Sequence, residues 1–146
     1  IDIEVDGVIV VDLPPEEDNE LCNAIESADL SFIRLVTPTT NADRLNKILQ
    51  KTSGFLYYVS IAGITGSKRP EINEVETAVQ EIKTKTNIPI GVGFGIRTKE
   101  DIERVGSFAD GVIVGSVLVD IIKNNEHESS VKDKIMKKVR EFASAV

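Results

Sequence analysis

The chain has 146 residues, 41% of them apolar and 28% charged, which suits one globular domain over residues 1–146 with a real hydrophobic core. Its net charge of −7 and scattered basic residues exclude a polyanion-binding surface, because nucleic acids and anionic membranes need a clustered basic patch. The single cysteine, Cys22, excludes an internal disulfide. No run approaches the roughly 18 apolar residues of a membrane span, so a cytoplasmic location is the simplest expectation.

Strand and helix patterns alternate along the chain, the signature of repeated βα units around a parallel sheet. Gly7-Val-Ile-Val-Val11 reads as the first strand, followed by Asp12-Leu13-Pro14-Pro15. A helix from Pro15 to about Ser27 is expected, since proline is tolerated in a first turn and Glu16, Glu17 and Asp18 suit the positive end of the helix dipole. Cys22 falls inside that amphipathic segment and reads as a half-buried structural thiol. Phe32–Val36 is the second strand, and Thr37-Pro38-Thr39-Thr40 leads to a helix near Ala42–Lys51.

The third strand, Phe55–Ser60, precedes Ile61-Ala-Gly-Ile-Thr-Gly-Ser-Lys-Arg-Pro70, the longest loop candidate. Long ordered loops at strand C-termini serve as lids or partner contacts. A helix near Ile72–Lys85 follows, and the fourth strand starts at Ile88. Thr98-Lys-Glu-Asp101 has the form of a capping box opening a short helix. The fifth strand is Gly111–Val114, with a short helix from Ser116 and a last helix of about Ser130–Ala145. Lys132–Arg140 in that helix reads as a solvated face. His127 lies in a polar loop without a second His or a Cys beside it, so no metal site is expected.

Two glycine-punctuated strand ends, Ile88–Ile96 and Asp110–Ser116, each lead into a helix and read as two halves of a phosphate cup. Glycine admits close approach to the backbone, and the first amides of a helix offer unpaired donors and a favourable dipole to an anion. Gly93, Gly95 and Gly115 are the candidates, with tight turns and close packing as the plain alternative. Gly91-x-Gly93-x-Gly95 is not a dinucleotide fingerprint, because the third glycine comes one residue too early. Periodicity leaves open whether the sheet is doubly wound or part of a closed barrel. In either case ligands bind at strand C-termini.

The ordered motifs Gly7-Val-Ile-Val-Val-Asp-Leu-Pro-Pro-Glu-Glu17, Tyr57–Gly66, Pro89–Ile96 and Gly111–Ser116 resemble the fourth, sixth, seventh and eighth strands of the α chain of tryptophan synthase. The resemblance runs nearly end to end. It implies a TIM (β/α)8 barrel of which this chain supplies roughly strands 4 to 8, with their helices. A whole barrel needs about 250 residues, and the start at Ile1 without Met reads as a fragment. The family cleaves indole-3-glycerol phosphate to indole and glyceraldehyde 3-phosphate. Indole then passes to a pyridoxal-phosphate-dependent β chain in an αββα complex, the α chain itself carrying no cofactor.

On this resemblance the substrate phosphate is held by Gly66, Gly95, Gly115 and Ser116. The indole pocket is lined by Ile9, Val11, Leu35, Tyr57, Phe94 and Ile113, with ordinary barrel core as the alternative for the aliphatic members. Tyr57 presents its hydroxyl to the site, and Tyr58 points the other way, under the helices. Thr65 closes over substrate with the loop. Many family members carry Arg where this chain has Ile61, which removes a charge near the loop root; Lys68-Arg69 could supply basic contacts instead, a solvated pair being the default.

The family's catalytic Glu and Asp belong to the region of the second strand, which nothing here matches. They are expected upstream of Ile1, and no lyase activity is expected of this stretch alone. Asp12 reads chiefly as a turn-forming residue, a supporting role toward Tyr57 or the loop being the lesser alternative. Two other readings stand beside this one: another phosphate-handling (β/α)8 enzyme, and a non-catalytic truncated α chain that binds phosphate or docks on the β chain.

Overall fold

A computed structural model describes residues 4–60, 71–93 and 95–146. The strands are β1 (Gly7–Ile9), β2 (Ser31–Val36), β3 (Leu56–Val59), β4 (Ile90–Gly93) and β5 (Gly111–Val112). The helices are α1 (Asn19–Ser27), α2 (Ala42–Gln50), α3 (Ile72–Lys83), α4 (Lys99–Gly106), α5 (Ser116–Asn124) and α6 (Val131–Ala143). All neighbouring strands pair in parallel, and the sheet runs β1-β2-β3-β4-β5 in chain order.

That order resolves the alternative left open by periodicity. Parallel crossovers are right-handed, so a sheet that never reverses direction carries its helices on one face. A doubly wound sheet needs a reversal point. The sheet is therefore singly wound, as in a barrel wall.

The helix-bearing face is the core. Val36, Leu56, Tyr58, Ile90 and Val92 alternate inward from β2, β3 and β4 and meet Leu45 and Ile48 of α2, Val75, Val79 and Ile82 of α3, and Ile102 and Val105 of α4. These helical residues recur every three or four positions, which aligns them on one stripe. A smaller cluster joins Phe32 of β2 to Cys22 and Ile25 of α1, so the thiol is buried rather than half-buried. Tyr58 faces the helices, as alternation requires.

The Thr98 capping box forms. The Thr98 hydroxyl accepts from Asp101 N–H at 3.2 Å, and the Asp101 carboxylate accepts from Thr98 N–H at 3.1 Å and Arg97 N–H at 2.9 Å. Side chains also complete the ladder where strands begin. The Ser53 hydroxyl accepts from Phe32 N–H at 2.8 Å and Asp110 accepts from Ile90 N–H at 2.9 Å.

Several boundaries differ from the sequence reading: β4 starts at Ile90 rather than Ile88 and β5 ends at Val112 rather than Val114, and two further differences lie at β1 and at the start of α1. β1 stops at Ile9, and the chain turns at Asp12, whose φ of 62° lies in the left-handed region that short polar side chains tolerate. Helix α1 begins at Asn19 instead of Pro15, and Pro14–Glu17 form a turn closed by a 3.0 Å bond from Glu17 N–H to the Pro14 carbonyl. Asp18 stands at the cap position but makes no side-chain cap, because its carboxylate is drawn inward to two cations.

Candidate functional site

The face opposite the helices carries the other set of alternating residues. A Cβ added at Gly7 would meet the Ile33 side chain at 2.8 Å. One at Gly91 would meet Ile113 at 3.0 Å and Phe55 at 3.2 Å, and one at Gly93 would meet the Tyr57 hydroxyl at 2.6 Å. Gly7, Ile33, Phe55, Tyr57, Gly91, Gly93 and Ile113 thus share this face, and alternation adds Ile9 and Leu35. Glycine at 91 and 93 is required by close approach: it leaves the space into which the Phe55 and Tyr57 rings project.

Ile9 is 44% exposed and Val11 62% exposed, whereas Ile33 is 7% exposed, so the β1 end of this apolar face is the part not covered by the described residues. Past Ile9 the first strand parts from β2, and a cleft of about 780 Å³ opens there, lined by Val11, Asp12, Leu35, Thr37, Arg44 and Val59 among others. The structure brings Val11, Asp12 and Leu35 to that cleft. Tyr57 and Ile113 lie farther along the same face, flanking β4. Asp12 is exposed at the cleft's rim and occupies its tight turn.

The phosphate candidates sit at the ends of β4 and β5. Gly95 takes a φ of 59° in the turn after β4, a conformation that costs glycine nothing. Gly115 precedes α5 and Ser116 opens it, the Gly115 carbonyl receiving the Leu118 and Val119 amides at 2.9 and 3.2 Å. No side chain caps this helix, and a Cβ at Gly115 would meet nothing within 4 Å. Packing of the described residues does not demand glycine there, whereas room for a ligand would. An ion pair of 3.3 Å from Arg97 to Asp120 ties the segment after β4 to α5. Gly66, Thr65 and Phe94 lie outside the described residues, as do Ile61, Lys68 and Arg69.

Sequence reasoning missed a buried charge cluster beside the cleft. Arg34 of β2 is 5% exposed, pairs with Asp18, donates from Nε to the Lys51 carbonyl at 2.8 Å, and stacks its guanidinium 4.1 Å from the Phe32 ring centroid. The Lys51 ammonium donates to the Pro15 carbonyl at 2.6 Å, to Asn19 at 2.7 Å and to Asp18 at 3.0 Å. Burial pushes the Asp18 carboxyl up, but hydrogen bonds from Lys51 and Arg34 outweigh it and hold the group below its ordinary value. The cluster pins the β1–α1 connection to β2 and α2. Its signal was present in the sequence: an arginine between Ile33 and Leu35, in a strand whose Phe32 and Val36 are buried, needs an anion within reach. At the surface nearby, bonds from Arg44 and then Lys47 help pull the Glu16 carboxyl down to about 2.

Among the described residues no three His, Cys, Asp or Glu side chains converge on a metal position, and no helix is long and apolar enough to cross a membrane.

The sequence pattern of the tryptophan synthase alpha chain family matches residues 2–146. This chain belongs to the tryptophan synthase alpha-chain family. Solved structures agree. The tryptophan synthase subunit alpha of Legionella pneumophila str. Paris is 37% identical, with a TM-score of 0.83 over 96% of this chain and 51% of that one. Tryptophan synthase of Mycobacterium tuberculosis is 31% identical, with a TM-score of 0.82 over 96% and 51%. A chain of the tryptophan synthase α2β2 complex from Pyrococcus furiosus is 30% identical, with a TM-score of 0.79 over 96% and 55%. The chain therefore spans about half the length of these alpha-chain relatives, and its singly wound sheet corresponds to part of their TIM (β/α)8 barrel.

Proposed function

We propose that this chain is the phosphate- and indole-binding part of a tryptophan synthase α chain, a carbon–carbon lyase that cleaves indole-3-glycerol phosphate to indole and glyceraldehyde 3-phosphate. The observation that carries the reading is the pair of strand ends just described, Gly95 in its left-handed turn and Gly115-Ser116 opening α5, in a chain matched by the alpha-chain family over residues 2–146. Gly66, Gly95, Gly115 and Ser116 hold the phosphate dianion through backbone N–H groups and the Ser116 hydroxyl. The field at the start of α5 favours that charge. Ile9, Val11, Leu35, Tyr57, Phe94 and Ile113 take the flat apolar indole ring, with Tyr57 offering a hydroxyl at its edge.

Cleavage needs an acid at indole C3 and a base for the ring nitrogen or the glycerol hydroxyl. Neither is assigned to the residues of this stretch; both come from the part of the barrel that this sequence does not contain. Thr65 closes the loop over bound substrate. Asp12 shapes the turn at the mouth. Indole passes to a β chain in an αββα assembly, where pyridoxal phosphate belongs to the β chain.

The test is indole release from indole-3-glycerol phosphate by the complete polypeptide that carries this sequence, with and without β chain. Release that rises with β chain is the expected result. No release, with inorganic phosphate still bound, would leave a binding module on the β chain; release of a different product would place the chain with another phosphate-handling barrel enzyme.

A further inference from the structure

The C-terminal ends of β3 and β4 are joined by a contact that the ladder does not require. Ser60, directly after β3 and 2% exposed, donates twice to one acceptor: its N–H reaches the Gly93 carbonyl at 3.1 Å and its hydroxyl reaches the same oxygen at 2.9 Å. Elsewhere on the sheet a single N–H suffices, as for Ile113 N–H to the Val92 carbonyl at 2.9 Å or Leu56 N–H to the Pro89 carbonyl at 2.8 Å. Satisfaction of the Gly93 carbonyl is thus complete without the hydroxyl, and the second donor fills its other lone pair. A second donor restrains the direction of a carbonyl further than the ladder bond alone.

Gly93 is also closed in from the side, since the Tyr57 hydroxyl stands 2.6 Å from where its Cβ would be. Two residues later the chain enters the Gly95 turn. Among the described residues no other side chain hydrogen-bonds one strand's C-terminal end to another's.

We infer that Ser60 is a positioning residue for the phosphate site: its doubled bond to Gly93 sets the direction in which the chain leaves β4, so that Gly95 and the start of α5 converge on one anion. This rests on the phosphate reading proposed above. Ser60 touches no substrate; it acts through Gly93.

The test uses the complete polypeptide with two probes, inorganic phosphate and indole, and two variants. Ser60→Ala keeps the backbone bond and removes only the hydroxyl. Its dissociation constant for inorganic phosphate should rise three- to tenfold, the range that one net hydrogen bond supplies, while that for indole stays within twofold. Ser60→Thr restores the hydroxyl and should bring phosphate affinity back. A phosphate constant unchanged in Ser60→Ala, or phosphate and indole weakened alike, overturns the inference while leaving the phosphate reading in place. Failure of the native polypeptide to bind inorganic phosphate overturns the phosphate reading itself, and the role of Ser60 with it.

Discussion

The two faces of this sheet are built from the same strands and obey opposite rules. Toward the helices stand Leu56, Tyr58, Ile90 and Val92, all at most 2% exposed, together with the paired charges Asp18 and Arg34. Toward the other side stand Gly7, Gly91, Gly93 and Gly111, interleaved with Ile9, Leu35 and Tyr57. One face packs its side chains against the helices, and the other uses the missing side chains of Gly91 and Gly93 to admit Phe55, Tyr57 and Ile113. The comparison teaches that strand alternation separates stability from binding residue by residue, so substitutions one position apart should fail in different assays.

The largest effect should come from the charge cluster. Asp18→Ala leaves Arg34 buried without its anion and is expected to cost about 3–5 kcal/mol in urea unfolding, the range for breaking one side of a buried pair. The Asp18 carboxyl is held below its ordinary value in the fold, so its stabilisation is complete above the unfolded value near pH 3.9 and is lost as pH falls through the lower folded value. Unfolding midpoints of the native chain should therefore drop below about pH 4. Asp18→Asn, with no charge to lose there, should show a flatter acid limb, and identical limbs would remove Asp18 from the account.

Next, Leu56→Ala on the packed face should cost about 2–5 kcal/mol, while Leu35→Ala on the open face should cost less than about 1 kcal/mol for its partly exposed side chain and weaken indole binding instead. Equal losses of stability would break the comparison between faces. A smaller effect is expected at Gly93. Gly93→Ala drives a Cβ against the Tyr57 ring and should cost about 1–3 kcal/mol, as overpacking does. Combined with Tyr57→Leu, which withdraws the ring, the loss should shrink in a double-mutant cycle; strict additivity would show that the two do not collide.

Elements were legible where the decisive interaction is local. The Thr98–Asp101 capping box lies within one helical turn, and the core stripe Val75, Val79 and Ile82 repeats inside α3. Pro15 illustrates the opposite case. Local preference allowed a helix from that residue, but Lys51, far along the chain, binds the Pro15 carbonyl and draws Asp18 inward, and the helix starts at Asn19. Arg34 shows the same limit from the other side: its oddity in an apolar strand was visible, but its partners were not. Sheet order was also beyond a periodic pattern, because every parallel βα chain has the same alternation whichever neighbour each strand selects. Of the candidate site, the strand-end glycines could be read from spacing, while the Ser60–Gly93 bond depends on register between β3 and β4.

The unreversed strand order has a consequence for how the chain acquires its shape. Each described strand pairs with the strand just before or just after it in sequence, so within this stretch no pairing waits for a distant segment to arrive. Loop closure between successive βα units is short and of similar entropic cost at each step. The sheet can therefore grow outward from any unit that forms first, like a row laid one tile at a time. On such a row a defect in one unit is felt mainly by its immediate neighbours.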